Sequence, residues 1–180
     1  MSKLKNIDLR IVSELMKNSK ISDRQLAKKI GVSQPTVTRR RAKLEEELID
    51  GYTAIPKWEK LGYEILAVTL VKTPLKLGSE ERVKDSSEKS MRWLEKQPNV
   101  IFGGECRGLG MTGIMFSIHK NYAALDEFLT SHREHLGHLL EEVNTIIVNL
   151  AGKSVYRPLN LKYLTEAFYG KRKPEEKLEY

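Results

Sequence analysis

The sequence predicts an α+β chain in two parts: an N-terminal helix-turn-helix unit, followed by a ferredoxin-like β-α-β-β-α-β unit. Three observations carry this. Two helix starts with the same capping chemistry, at Ser22 and Ser33, stand on either side of Gly31. Between residues 62 and 151, apolar runs with strand and helix periodicity follow one another as strand, helix, strand, strand, helix, strand. The net charge of +7 is uneven, with 14 Lys and Arg against 8 Asp and Glu in residues 1–60, and 17 against 16 in residues 61–180.

The first helix is marked by Ile7, Ile11, Val12 and Leu15 at helical spacing, with Arg10, Glu14 and Lys17 between them, and "KNSK" ends it. The second begins at Ser22, a good N-cap, with Gln25 three residues on to complete a capping box. Ile21 and Leu26 flank the cap as a hydrophobic staple. This helix runs to Ile30, and Gly31 stops it by tolerating a left-handed conformation. The device repeats in "VSQPTV": Ser33 is the cap, Val32 and Val37 the staple, and Pro35 lies in the first turn, where its missing N–H costs little. The third helix is basic and uncharged-polar at its start, but carries Glu45, Glu46 and Glu47 near its end.

In the second unit, "YEILAVTLVK" (63–72) is a strand rich in branched residues. Residues 79–97 form a helix resting on a sheet through Val83, Met91 and Leu94. "NVIFGGECRG" (99–108) and "GMTGIMFSIH" (110–119) are strands joined by a glycine-rich turn. Residues 121–140 form a helix with Tyr122, Leu125, Phe128, Leu129 and Leu136 on one side, and "VNTIIVNLAG" (143–152) is the last strand. Two helices cover one face of such a sheet, and a partner subunit is an economical cover for the other. Beyond the sheet, Asn160 caps a further amphipathic helix with Leu161, Leu164 and Phe168, closed by Gly170 and followed by a charged tail. The expected domains are thus 1–55, a linker 56–61, 62–151, and an extension 152–180.

A basic small unit beside a near-neutral larger one points to a polyanionic partner, double-stranded DNA. The expected contacts are Ser22, Ser33, Gln34, Pro35, Thr36, Thr38, Arg39, Arg40 and Lys43. Gln34 and Arg39 suit bidentate contacts to base edges, and the cations that follow suit phosphates. The single cysteine, Cys106, excludes a disulfide within the chain, and no apolar run is long enough to span a bilayer, so a cytoplasmic protein without a membrane partner is expected. No cofactor is expected. His132, His135 and His138 stand three residues apart, but that spacing drifts around a helix and does not aim them at one metal.

The motifs "ISDRQLAKKIGVS" and "GYTAI", with the Arg and "KLE" of the third helix, resemble the leucine-responsive and asparagine-regulator (Lrp/AsnC) family of microbial transcription regulators. The resemblance is close over about residues 6–55 and continues by pattern to 151. It implies sequence-specific DNA binding, a second domain of the amino-acid-regulation (RAM) type, and a homo-oligomer, a dimer or larger. Two positions depart from the family pattern. Arg41 stands where an aliphatic residue is usual and must snorkel or pair with Glu45, and "LEEELIDGY" lacks the usual glycine after the third helix. The family's effector site lies at the turn "GGECRGLGMTG", with Gly104, Arg107, Gly108 and Gly110 as candidate effector contacts. No aspartate occurs there, so an amino acid held through such an acid is not expected. Two rival readings share the layout: a haem-pathway (siroheme) decarboxylase using His119, the three histidines and Arg107, and a small-molecule sensor that does not touch DNA.

Overall fold

The computed structural model describes residues 4–74 and 80–169. These form two compact units, residues 4–55 together with 158–169, and residues 56–157.

The first unit is built on α1 (Asn6–Lys17), α2 (Asp23–Ile30) and α3 (Gln34–Glu47). Ile11, Leu15, Ile21, Leu26, Ala27, Ile30, Val37 and Leu44 form its core, with Val12 and Val32 half-buried beside them. The Ser22 capping box is made in both directions: the Gln25 N–H donates to Ser22 Oγ at 3.3 Å, and the Ser22 N–H to Gln25 Oε1 at 3.1 Å. Gly31 takes φ 73°, and its N–H closes α2 on the Ala27 carbonyl at 2.9 Å. Ser33 occupies the N-cap position of α3, but its hydroxyl pairs with that of Thr36 at 2.8 Å and caps no backbone N–H. Without a glycine, α3 ends at Leu48 in a conformation neither helical nor extended (φ −139°, ψ −28°), the Leu48 N–H reaching the Leu44 carbonyl at 2.9 Å.

A 3-10 helix, Leu161–Tyr169, lies against α1 in this unit. Ser13, about 200° around α1 from Ile11, is fully buried, so α1 is covered on its back as well as on its core side. The extension was expected to be an α-helix packing through Leu161 and Leu164. With three residues per turn, those two eclipse instead and stand exposed at 61% and 55%, while Thr165 is buried. Asn160 does cap it, its Oδ1 accepting from the Lys162 N–H at 2.9 Å. The side chains of Val83 and Phe168, Gly170 and the charged tail lie outside the described residues.

In the second unit, β1 (Ile65–Lys72), β2 (Val100–Gly108), β3 (Met111–His119) and β4 (Glu142–Asn149) form one antiparallel sheet in the order β2-β3-β1-β4, with α4 (Glu80–Leu94) and α5 (Tyr122–Leu136) between strands in sequence. This is the ferredoxin-like order that the strand and helix pattern predicts. Cross-strand pairs share a face of a sheet, so Ile65, Ala67, Met115, Ser117 and His119 line one side. They pack with Trp93 of α4 and Leu125, Phe128 and Leu136 of α5. Met91 and Tyr122, expected on the packing side, are exposed at 56% and 66%; Trp93 is the anchor of α4, in ring contact with Phe128 at 5.4 Å. The opposite face of the sheet carries Leu66, Val68, Ile114, Phe116, Phe102 and Ile146, and the last two are more than half exposed. Among the described residues of this unit, such an apolar sheet face lacks full cover.

Candidate nucleic-acid interface and cavity

The start of α3 is held by the short turn through Gly31 and by the burial of Val37, which leaves Ser33, Gln34, Pro35, Thr38 and Arg39 exposed and Thr36 half-buried. Gln34 and Thr38, and Pro35, Arg39 and Lys43, recur every four residues, so they form a continuous exposed strip. Arg24 and Lys28 of α2 are exposed in the same unit.

The other cations of α3 are engaged within the fold. Arg40 is turned toward α1, where its Nη1 donates to Asp8 Oδ1 at 2.7 Å, with only 24% and 13% of the two side chains exposed. A partly buried carboxylate is a strong acceptor, and it holds the Arg40 guanidinium in this ion pair. Ser22 is likewise committed, its hydroxyl bonding Gln25 Oε1 at 3.0 Å inside the capping box. Lys43 remains exposed, with a loose ion pair to Glu47 at 3.5 Å.

Arg41 does pair with Glu45, its Nε donating at 2.9 Å, but the sequence showed only part of its network. Its Nη1 donates to Asp23 Oδ1 and to the Ile21 carbonyl, both at 3.1 Å, and its guanidinium lies over the Tyr52 ring. The Tyr52 hydroxyl donates to Glu45 Oε1 at 2.6 Å, and that bond, with the one from Arg41, holds the Glu45 carboxyl below its ordinary pKa. The second oxygen of Asp23 accepts from the Thr38 hydroxyl at 2.7 Å. One acid at the first turn of α2 thus ties down two residues of α3. On α1, burial would raise the Glu14 pKa, but hydrogen bonds from Lys29 and Lys17 outweigh it and hold the group ionised.

In the second unit, a cavity of about 1050 Å³ opens over the β2–β3 hairpin, walled by α4 and α5. Gly104, Arg107, Gly108 and Gly110 all line it. Gly110 takes φ 74° at the hairpin tip, where a side chain would be strained. Two other lining residues stand outside the expected effector contacts, Glu105 and His132. Glu105 pairs across the strands with Gly113, on the helix-covered face, and supplies an acid that a search for aspartate passed over. His132 is 3% exposed, edge-on to Trp93 at 5.1 Å, and burial followed by nearby Arg133 lowers its pKa. Both are signalled only by strand register and helix facing, which need the assembled sheet.

The histidines do not converge. His119 Nε2 is bonded to the Ser117 hydroxyl at 2.8 Å and its ring meets Phe128, while His135 Nδ1 meets the carbonyl of Ser131 on its own helix at 2.8 Å. Among the described residues, no group of three or more His, Cys, Asp or Glu is placed to hold a metal ion. No helix among them is long and apolar enough to cross a membrane.

Residues 4–45 match the model of the AsnC-type helix-turn-helix domain. The leucine-responsive regulatory protein of Rhizobium meliloti is 35% identical over 124 residues, which is 68% of this chain and 75% of that protein. Among solved structures, a complex of a Neisseria meningitidis transcriptional regulator with L-methionine aligns with a TM-score of 0.72 at 19% identity, over 90% of this chain and 99% of that one. An AsnC family transcriptional regulator of Agrobacterium tumefaciens aligns with a TM-score of 0.70 at 22% identity, over 89% and 99%. At these identities, the two structural likenesses speak for the fold.

Proposed function

Given that the chain belongs to the Lrp/AsnC family of helix-turn-helix transcription regulators, we propose that it reads duplex DNA with the exposed start of α3, works as a homo-oligomer, and answers to a small molecule held in the second unit. The observation that carries the first part is the division of α3. Gln34, Thr38 and Arg39 stand free of the core, while Arg40 and Arg41 serve the fold. A helix presenting polar side chains at its N-terminal end fits the major groove, where Gln and Arg form bidentate pairs with base edges. Lys43, Arg24 and Lys28 would supply phosphate contacts, which carry affinity without sequence choice. Ser33, Pro35 and Thr36 are close enough along the helix to touch the backbone or the sugar edge.

The exposed apolar sheet face supports pairing through the second unit, and two joined heads multiply affinity by effective concentration. For the effector, the cavity's size suits a small metabolite, and its lining pairs one carboxylate, Glu105, with apolar Met115 and Leu136. That lining revises the expectation that amino acids are excluded, since an ammonium has a partner in Glu105, and the L-methionine bound by the Neisseria relative supports the same class. Binding there would shift the arrangement of paired second units. This role needs no catalytic group or cofactor and belongs in the cytoplasm, beside the chromosome.

The test is selection of binding sites from a random duplex pool, followed by affinities on every single-base variant of the selected site. Arg39→Ala and Gln34→Ala each flatten the preference at particular positions, by about 1–3 kcal/mol for a bidentate contact. Losses spread evenly over all variants would reassign both residues to phosphates, and undiminished binding would refute the interface.

A further inference from the structure

Asp23 divides its two carboxylate oxygens between two tasks. Oδ1 accepts from the Arg41 guanidinium at 3.1 Å, and Oδ2 accepts the hydroxyl proton of Thr38 at 2.7 Å. A threonine hydroxyl has one proton and two lone pairs. With the proton committed to a carboxylate, in a short charge-assisted bond, what Thr38 offers outward is lone pairs and a methyl group. Thr38 is exposed, one residue before Arg39 and four after Gln34, on the strip read above as groove-facing. The contrast within the helix is Thr36, whose hydroxyl pairs with that of Ser33 at 2.8 Å, an arrangement in which either oxygen can donate. Only at Thr38 does the fold dictate the direction.

We propose that Asp23, held by Arg41, sets the hydrogen-bond polarity of Thr38, making it an acceptor that selects an amino-bearing base, adenine or cytosine, over guanine or thymine at one operator position. In the major groove, adenine presents an N6 amino group and cytosine an N4 amino group, whereas guanine and thymine present keto oxygens at the corresponding edge. A keto oxygen facing an acceptor-only hydroxyl leaves two lone pairs opposed, with no proton between them. Asp23 touches no base in this scheme; it is a positioning residue, and Thr38 is the reader. The inference rests on α3 being the groove-facing helix.

The arrangement prescribes its own relaxation. In Asp23→Asn, Arg41 still requires an oxygen at the Oδ1 position, so the amide nitrogen takes the place of Oδ2. That nitrogen donates to one lone pair of Thr38, whose proton and second lone pair then both face outward, so keto bases are admitted as well as amino ones. A change in stability alone would lower affinity for all sites alike and admit no new base.

The full-length chain is first used to select its operator, and affinities are then measured on all single-base variants for wild type, Thr38→Val, Asp23→Asn, Gln34→Ala and Arg39→Ala. Wild type favours adenine or cytosine at one position, on the order of fivefold for one hydrogen bond; Thr38→Val removes that preference there and nowhere else; Asp23→Asn levels it by raising the affinity for the keto bases. An Asp23→Asn protein that keeps the wild-type preference overturns the proposal, as does a Thr38→Val protein with an unchanged profile. If Gln34→Ala and Arg39→Ala still reshape other positions in either case, the groove-facing reading of α3 stands without it. If none of the three contact variants alters any position, that reading fails as well. Should Asp23→Asn not fold, the DNA carries the test. Replacing the selected amino group by hydrogen costs wild type a similar factor and Thr38→Val nothing, and a keto base is worse for wild type than the hydrogen-bearing one. Equal binding of amino and keto bases by wild type overturns the proposal.

Discussion

Neighbouring arginines on α3 part ways in the folded chain. Arg39 points to solvent, and Arg40 reaches back to Asp8 on α1. The difference yields two distinguishable defects. Arg40→Ala strands a partly buried carboxylate and lowers stability by about 1.5–3 kcal/mol, as expected for a hydrogen bond between charged groups. Its DNA affinity, measured where the protein is fully folded, keeps the wild-type base preferences and the wild-type slope against salt. Thermal melts and a salt titration check this; a slope reduced by about 0.9 would return Arg40 to a phosphate. Nothing in the run of three arginines announces which belongs to the core. Only the distance from α3 to Asp8, set by the three-helix packing, separates them.

The local chemistry of helix ends was readable because a cap, its box and its glycine stop act within a few residues, as at Ser22, Gln25 and Gly31. The strands were readable because the runs rich in branched and apolar residues that form β1 and β3 are eight and nine residues long. What escaped depends on facing: Trp93 displaces Met91 as the anchor of α4, Glu105 enters the cavity through its register with Gly113, and His132 joins the buried side of α5. The last of these has a measurable effect. His119 and His132 are both buried, and burial lowers both pKa values below the ordinary 6.5. The unfolded chain therefore takes up protons at a higher pH than the folded one. Stability conferred by the neutral rings is fully present above about pH 6.5 and is lost as pH falls through the window beneath it, by at most about 1.4 kcal/mol per pH unit for each proton. Denaturant unfolding at pH 7.5 and pH 5.5 checks this: His132→Leu narrows the gap between the two values. A gap unchanged in both His132→Leu and His119→Leu would place the acid sensitivity elsewhere.

The first unit is assembled from two stretches of chain, with the 102 residues from Pro56 to Arg157 forming the second unit between them. Residues 158–169 are therefore part of the helix-turn-helix unit. A chain ending at residue 157 loses the 3-10 helix that lies against α1. Its helix-turn-helix unit melts earlier, by about 1–3 kcal/mol for the side-chain burial lost, while the sheet unit keeps its unfolding midpoint. Circular dichroism separates the two transitions, and equal midpoints for both chains would make the contact ornamental. The interruption also has a consequence in time. On the ribosome, at about 5–20 residues per second, α3 emerges roughly 5–20 s before the segment that backs α1 can follow. The reading head is completed only after the sheet unit between its two stretches has been made, so a chain cut short between them carries an intact sheet and an unfinished grip on DNA.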